Sequence, residues 1–216
     1  MNTTVFAARC SLVCTAATLV VLAALHVLSP EFNPAVRMIS EYANGGYAWV
    51  LALMFLLSGI STWSLAVALA PRLRTPGGRV ALVLLFASGL GATMASVFDI
   101  NHPLHDVAGL GILALPPAAL LISGRLPRTS AALRISAHFT WISLVLFAVA
   151  MIVMIVGYTR AGNQLTPEVV ALAGYGNRLF EVADCVWQLV VAAHLLALRA
   201  PLGSESSHSV TEFVHA

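Results

Sequence analysis

Apolar residues run through this chain in stretches of roughly 20, the length an α-helix needs to cross a hydrocarbon core. Short clusters of proline, glycine, arginine, acids and histidines separate them. The pattern predicts six spans, at about 10–29, 47–70, 79–98, 103–123, 133–157 and 178–198. The expected architecture is all-α: a polytopic six-transmembrane-helix bundle forming one domain over residues 1–200. The tail 201–216 is polar and lacks helical period, so disorder is expected there. Arg9 precedes the first apolar run, as in a signal peptide, but no small-x-small cleavage site precedes Ser29-Pro30. The run is therefore read as a retained span.

The loops set the orientation. Arg72, Arg74 and Arg79 lie between spans 2 and 3, and Arg125, Arg128 and Arg134 between spans 4 and 5, while Arg9 and Arg199 flank the termini. Only Arg37, Arg160 and Arg178 fall on the other side, so the positive-inside rule predicts both termini in the cytoplasm. Glu31, Glu41, Asp99, Asp106, Glu168, Glu181 and Asp184 then gather at the outer side, leaving Glu205 and Glu212 in the tail.

Two outer loops are expected to hold short interfacial helices. One lies in SPEFNPAVRMISEYANGGY, whose Val36, Met38 and Ile39 can rest on the interface. The other lies in TPEVVALAG, where Thr166 can cap, Pro167 can start and Gly174 can end a short helix.

Composition agrees with the membrane reading. Of 216 residues, 59% are hydrophobic and 9% charged, against about a quarter charged in a soluble domain. Mean hydropathy is +0.90. The net charge of +2 follows from topology and gives no reason to expect nucleic acid. Cys10, Cys14 and Cys185 all fall within spans and read as packing residues, not as a disulfide framework.

Candidate chemistry is concentrated in a few places. In span 6, Arg178, Glu181, Asp184 and Gln188 follow at intervals of 3, 3 and 4, a polar stripe roughly 15 Å deep on one helical face. Ionisable groups at that depth cost about 2.5–3.5 kcal/mol each, so they face protein or water and need partners. Arg178 and Glu181 are expected to pair, leaving Asp184 to find a partner on another helix. The stripe serves either as interhelical glue or as the wall of a functional cavity.

The segment FDINHPLHD offers Asp99, His102 and His105, good ligands for a divalent ion such as zinc where three converge. The plainer reading is a helix start: Asn101 or His102 caps span 4 after Pro103, and Asp106 favours its positive end. His26 can join the same layer. Ser40-Glu41-Tyr42 brings a carboxylate and a phenol that suit acid–base work or, equally, an interfacial helix end. His138 and His194, at one depth near the cytoplasmic ends of spans 5 and 6, would suit a b-type haem or ordinary hydrogen bonding. Ser58, Ser61 and Ser64 step along span 2 as close-packing hydroxyls. GxSxG, Walker and CxxC motifs are absent from the sequence.

SPEFNPAVRMISEYANGGYAWV after span 1, FD with a following histidine before span 4, and GNRLFE opening the last span resemble a family of small bacterial membrane proteins catalogued as domain of unknown function 998. The resemblance covers about residues 8–198. It implies a compact six-span bundle in the inner membrane, with recurrent polar positions at Ser40, Glu41, Asp99, His105 and Arg178. The polar set is more loosely similar to that of ceramidase and progestin-receptor-like membrane hydrolases, although those have seven spans and an HxxxH pair that is missing from the last span here.

The expected function is metal-dependent hydrolysis of a lipid-like molecule at an outward-facing site. Asp99, His102 and His105 would hold the metal, Glu41, Glu181 and Asp184 would move protons, and Arg178 with Ser40 and Tyr42 would hold the substrate. The alternatives are a non-catalytic lipid-binding or transport factor and a haem membrane protein. Membrane lipids are the expected partners.

Overall fold

The computed structural model describes residues 3–126, 130–160 and 167–198, the side chains of 157–160 and 167–171 excepted. Arg128, Arg199, Thr166 and the tail 201–216 lie outside these residues. Seven α-helices make the six spans: α1 (Thr3–Leu28), α2 (Ala48–Leu69), α3 (Pro76–Val97), α4 (His105–Ile112), α5 (Leu115–Ser123), α6 (Ala131–Arg160) and α7 (Pro167–Ala197). A short 3₁₀ helix, Ile39–Asn44, precedes α2. By length and composition, six segments can cross a membrane, with α4 and α5 together forming the fourth. The protein is a multi-pass membrane protein.

Helices adjacent in sequence pack side by side, and α7 closes on α1, so the spans form a ring. One end of the ring carries the segments 29–47 and 98–104, and the other carries the arginine-rich turns. At the arginine end Thr75 Oγ1 accepts from Gly78 N at 3.2 Å and Pro76 takes the first turn of α3, so that helix starts ahead of the expected residue 79.

Small residues set how closely the helices approach. A Cβ on Gly91 would come within 2.6 Å of Ile112 N, and one on Gly111 within 2.8 Å of Gly91 Cα, so α3 and α4 touch backbone to backbone. Toward the middle of the bundle, Ser61 of α2 donates to Gln188 Oε1 of α7 at 2.8 Å. Thr15 Oγ1 meets the same hydroxyl, and Thr62 Oγ1 reaches Gln188 Oε1 at 3.3 Å. The serine stripe of span 2 thus serves packing, with Ser64 donating to Cys10 Sγ at 3.3 Å. All three cysteines are free.

Two departures from the sequence pattern position the site. The fourth span is broken at Leu113–Ala114 because Pro116 has no N–H for the carbonyl of Ile112, four residues before it. Ser88 Oγ of α3 donates to that carbonyl at 3.4 Å. The second departure is at Gly174, which does not end a short helix; α7 runs unbroken from Pro167. Gly174 is there for space, since a Cβ would overlap the carbonyl of Ala35. The short helix expected in the first loop is present as Ile39–Asn44.

The outward face of α6 is apolar and exposed, with Ile135, Ile142, Val145, Leu146, Val149 and Ile152 each more than a third accessible. Such a face suits hydrocarbon rather than water.

A candidate amphiphile cleft beside the last span

Polar loops at one end of the ring meet in space. Asn101 Nδ2 donates to Asn44 Oδ1 at 3.0 Å, joining the segment before α4 to the one before α2. Ile39 N donates to Asn177 Oδ1 at 2.8 Å, fixing the 3₁₀ helix onto α7. Both bonds bring the wall His105–Asp106 toward Ser40 and the outer turns of α7.

Arg178 knits this end together. Its Nε donates to His26 Nε2 at 2.9 Å, Nη2 to Tyr42 Oη at 3.2 Å, and Nη1 to the carbonyls of Gly174, at 3.1 Å, and Arg37. His26 Nδ1 lies 2.7 Å from the carbonyl of Leu22. A carbonyl only accepts, so Nδ1 carries the hydrogen and Nε2 is free to accept from the arginine. The expected Arg178–Glu181 pair is not formed. Residues three apart on a helix are offset by about 60°, enough to turn Arg178 toward α1 while Glu181 faces the interior.

Glu41 is committed locally: Oε2 pairs with Arg37 Nη1 at 2.8 Å, and Oε1 accepts from Met38 N at 2.9 Å, capping the 3₁₀ helix. Tyr42 is fully buried, packed on Phe32 with ring centroids 5.3 Å apart and on His26 at 5.8 Å.

The three expected metal ligands do not point to one place. Asp99 Oδ1 accepts from Asn101 N at 2.9 Å, forming an Asx turn. His102 Nδ1 accepts from Leu104 N at 3.1 Å, and its ring stacks on Phe98 at 4.5 Å. Both residues are exposed, while His105 is half-buried with Nδ1 3.0 Å from the carbonyl of Phe98. Among the described residues no three His, Cys, Asp or Glu side chains group so as to hold a metal ion. His138 is exposed on α6 and His194 half-buried on α7.

The ring is open on one side of this end. On α6 the closing contact comes from α5, not α4, and the gap that remains is a cleft of about 510 Å³. Its apolar walls include Leu110 of α4, Leu113 at the break after it, Phe147 and Met151 of α6, and Phe180 of α7. Phe147 and Phe180 stack at 5.8 Å with their planes 18° apart. Ser40, His105, Asp106, Asn177 and Glu181 supply its polar lining. Leu110 is 70% exposed, so the cleft opens sideways where lipid would lie.

A family model described as Protein of unknown function (DUF998) matches residues 12–194. The chain belongs to this family. No curated protein and no solved structure matches it.

The cleft of this DUF998 protein includes Asn177, which the polar stripe did not bring forward. Asn177 lies four residues before Glu181 on the same face of α7, the spacing that could have revealed it. Behind Glu181 lies Asp184, 4% exposed, whose Oδ1 has no hydrogen-bond partner among the described residues. A second groove, of about 640 Å³, runs between α6 and α7 on the lipid-facing side of the DUF998 bundle. Aliphatic residues such as Val149, Val153 and Leu179 line it, with Arg178 at its edge.

Proposed function

We propose that this protein binds a lipid-like amphiphile in the cleft between α4 and the α6–α7 pair, as a binding or transport factor. The observation that carries this reading is the cleft's two-sided lining: aromatic and aliphatic walls lead from a lateral opening to a polar end at Ser40, Asn177 and Glu181. A chain can enter from the membrane without crossing a polar barrier, while its headgroup reaches hydrogen-bonding partners. The arginine-rich turns lie at the opposite end of the bundle, which supports a cleft facing the non-cytoplasmic side of the inner membrane.

The test uses Gly109, which lines the cleft and has open space around the position of a Cβ. Radiolabelled dodecanol should bind saturably to the full-length protein in lipid nanodiscs, and Gly109→Leu should remove that binding without loss of thermal stability. Equal uptake by wild type, variant and empty nanodiscs would overturn the proposal.

A further inference from the structure

The cleft has acidic groups and no arginine. Glu181 and Asp106 lie on its wall, and its one basic ring, His105, already holds the carbonyl of Phe98 through Nδ1. Glu181 is 8% exposed, and its polar contact is Cys185 Sγ at 3.8 Å. One turn along α7, the buried Asp184 has an unpartnered Oδ1. Neither carboxyl is bridged by an arginine or histidine among the described residues. Surrounding helices do not supply the missing charge: His26 of α1 is taken by Arg178, α2 presents hydroxyls, and α6 presents Phe147 and Met151. A carboxyl held in an apolar bundle is neutralised by a cation or by a proton, because an isolated buried carboxylate is far too costly.

We propose that the ligand of the cleft is a hydrophobic cation, an alkyl amine or alkylammonium, with its chain along Phe147, Met151 and Leu110 and its charge on the Glu181 carboxylate. This rests on the amphiphile-binding reading and specifies the headgroup. When the cation enters, the O–H bond of the neutral Glu181 carboxyl breaks and the proton passes to water. One positive charge replaces another, and the buried site stays neutral. Asp106, exposed at the mouth, attracts the cation into the opening. An anionic headgroup has no cation here to meet, since Arg178 is turned toward His26, Tyr42 and two carbonyls and borders the other groove.

Three probes that share a dodecyl chain separate the possibilities: dodecyltrimethylammonium, dodecanol and dodecanoate, each below its micellar concentration, with full-length protein in nanodiscs. The ammonium should bind at least about tenfold more tightly than the carboxylate. Glu181→Gln should weaken ammonium binding by at least about tenfold more than it weakens dodecanol binding, whereas Glu181→Asp, which keeps the charge, should retain the preference for the ammonium. Equal binding of all three heads, or an ammonium preference that survives Glu181→Gln, overturns the cation assignment while the amphiphile site stands. If no probe shows binding sensitive to Gly109→Leu, the site itself fails, and the cation assignment with it.

Discussion

Arg178 Nε donates to His26 Nε2 across 2.9 Å, and no bond links the guanidinium to Glu181 one turn away. The arginine is thereby a clamp between α1, the 29–47 segment and α7, and the glutamate is left facing the cleft. Four acceptors spread around a planar guanidinium cannot be met by one ammonium. Arg178→Lys should therefore destabilise the protein by about 1.5–3 kcal/mol, read as a lower thermal midpoint in detergent. His26→Ala should lower it as well, and the double variant should lose less than the sum, because both substitutions remove the same bond.

Two glycines in one turn of α4 should respond oppositely to alanine. At Gly111 a Cβ meets the backbone of Gly91 at 2.8 Å and the carbonyl of Ala87 at 3.0 Å, contacts that only a shift of α3 against α4 can relieve. Gly111→Ala should cost about 1–3 kcal/mol. At Gly109 nothing lies within 4 Å, so Gly109→Ala should be neutral or stabilising by up to about 1 kcal/mol through helix propensity. Thermal unfolding of the two variants side by side checks both signs.

Much of this fold was legible from the alternation of apolar runs and polar clusters. Each expected span has its helix, and the polar segments around SEY, FDINHPLHD and GNRLFE do meet, joined through Asn44–Asn101 and Ile39–Asn177. Side-chain partners were less legible. A spacing of three on α7 suggested an Arg178–Glu181 pair, but His26 and Tyr42, which take the arginine, come from distant parts of the chain. Asp99, His102 and His105 have the right chemistry for a metal, yet their directions depend on turn geometry that composition does not carry. The polar lining of the cleft, at Ser40, His105 and Glu181, was among the residues the sequence brought forward, but its apolar walls were not, because they face one another only where α4, which ends at the break before Pro116, does not reach α6.

That break gives a further prediction. Ser88 Oγ supplies the hydrogen bond that Pro116 denies to the carbonyl of Ile112. Ser88→Ala should cost about 0.5–1.5 kcal/mol by leaving the carbonyl without a donor. Pro116→Ala restores an N–H to that carbonyl, so in its background Ser88→Ala should cost distinctly less. A double-mutant cycle on thermal unfolding gives the coupling, and additive effects would separate the serine from the break.

The central claim is that amphiphile enters the cleft rather than the outer groove or the general lipid-facing surface. A dodecanol analogue with a photoreactive diazirine near the chain end, crosslinked in nanodiscs and mapped by peptide mass spectrometry, tests this most directly. Label should fall on Met151, Phe147 and Leu110, compete with unlabelled dodecanol, and vanish in Gly109→Leu. Label confined to Val149, Val153 and Leu179, or spread over the exposed faces of α1 and α3 without competition, would contradict it.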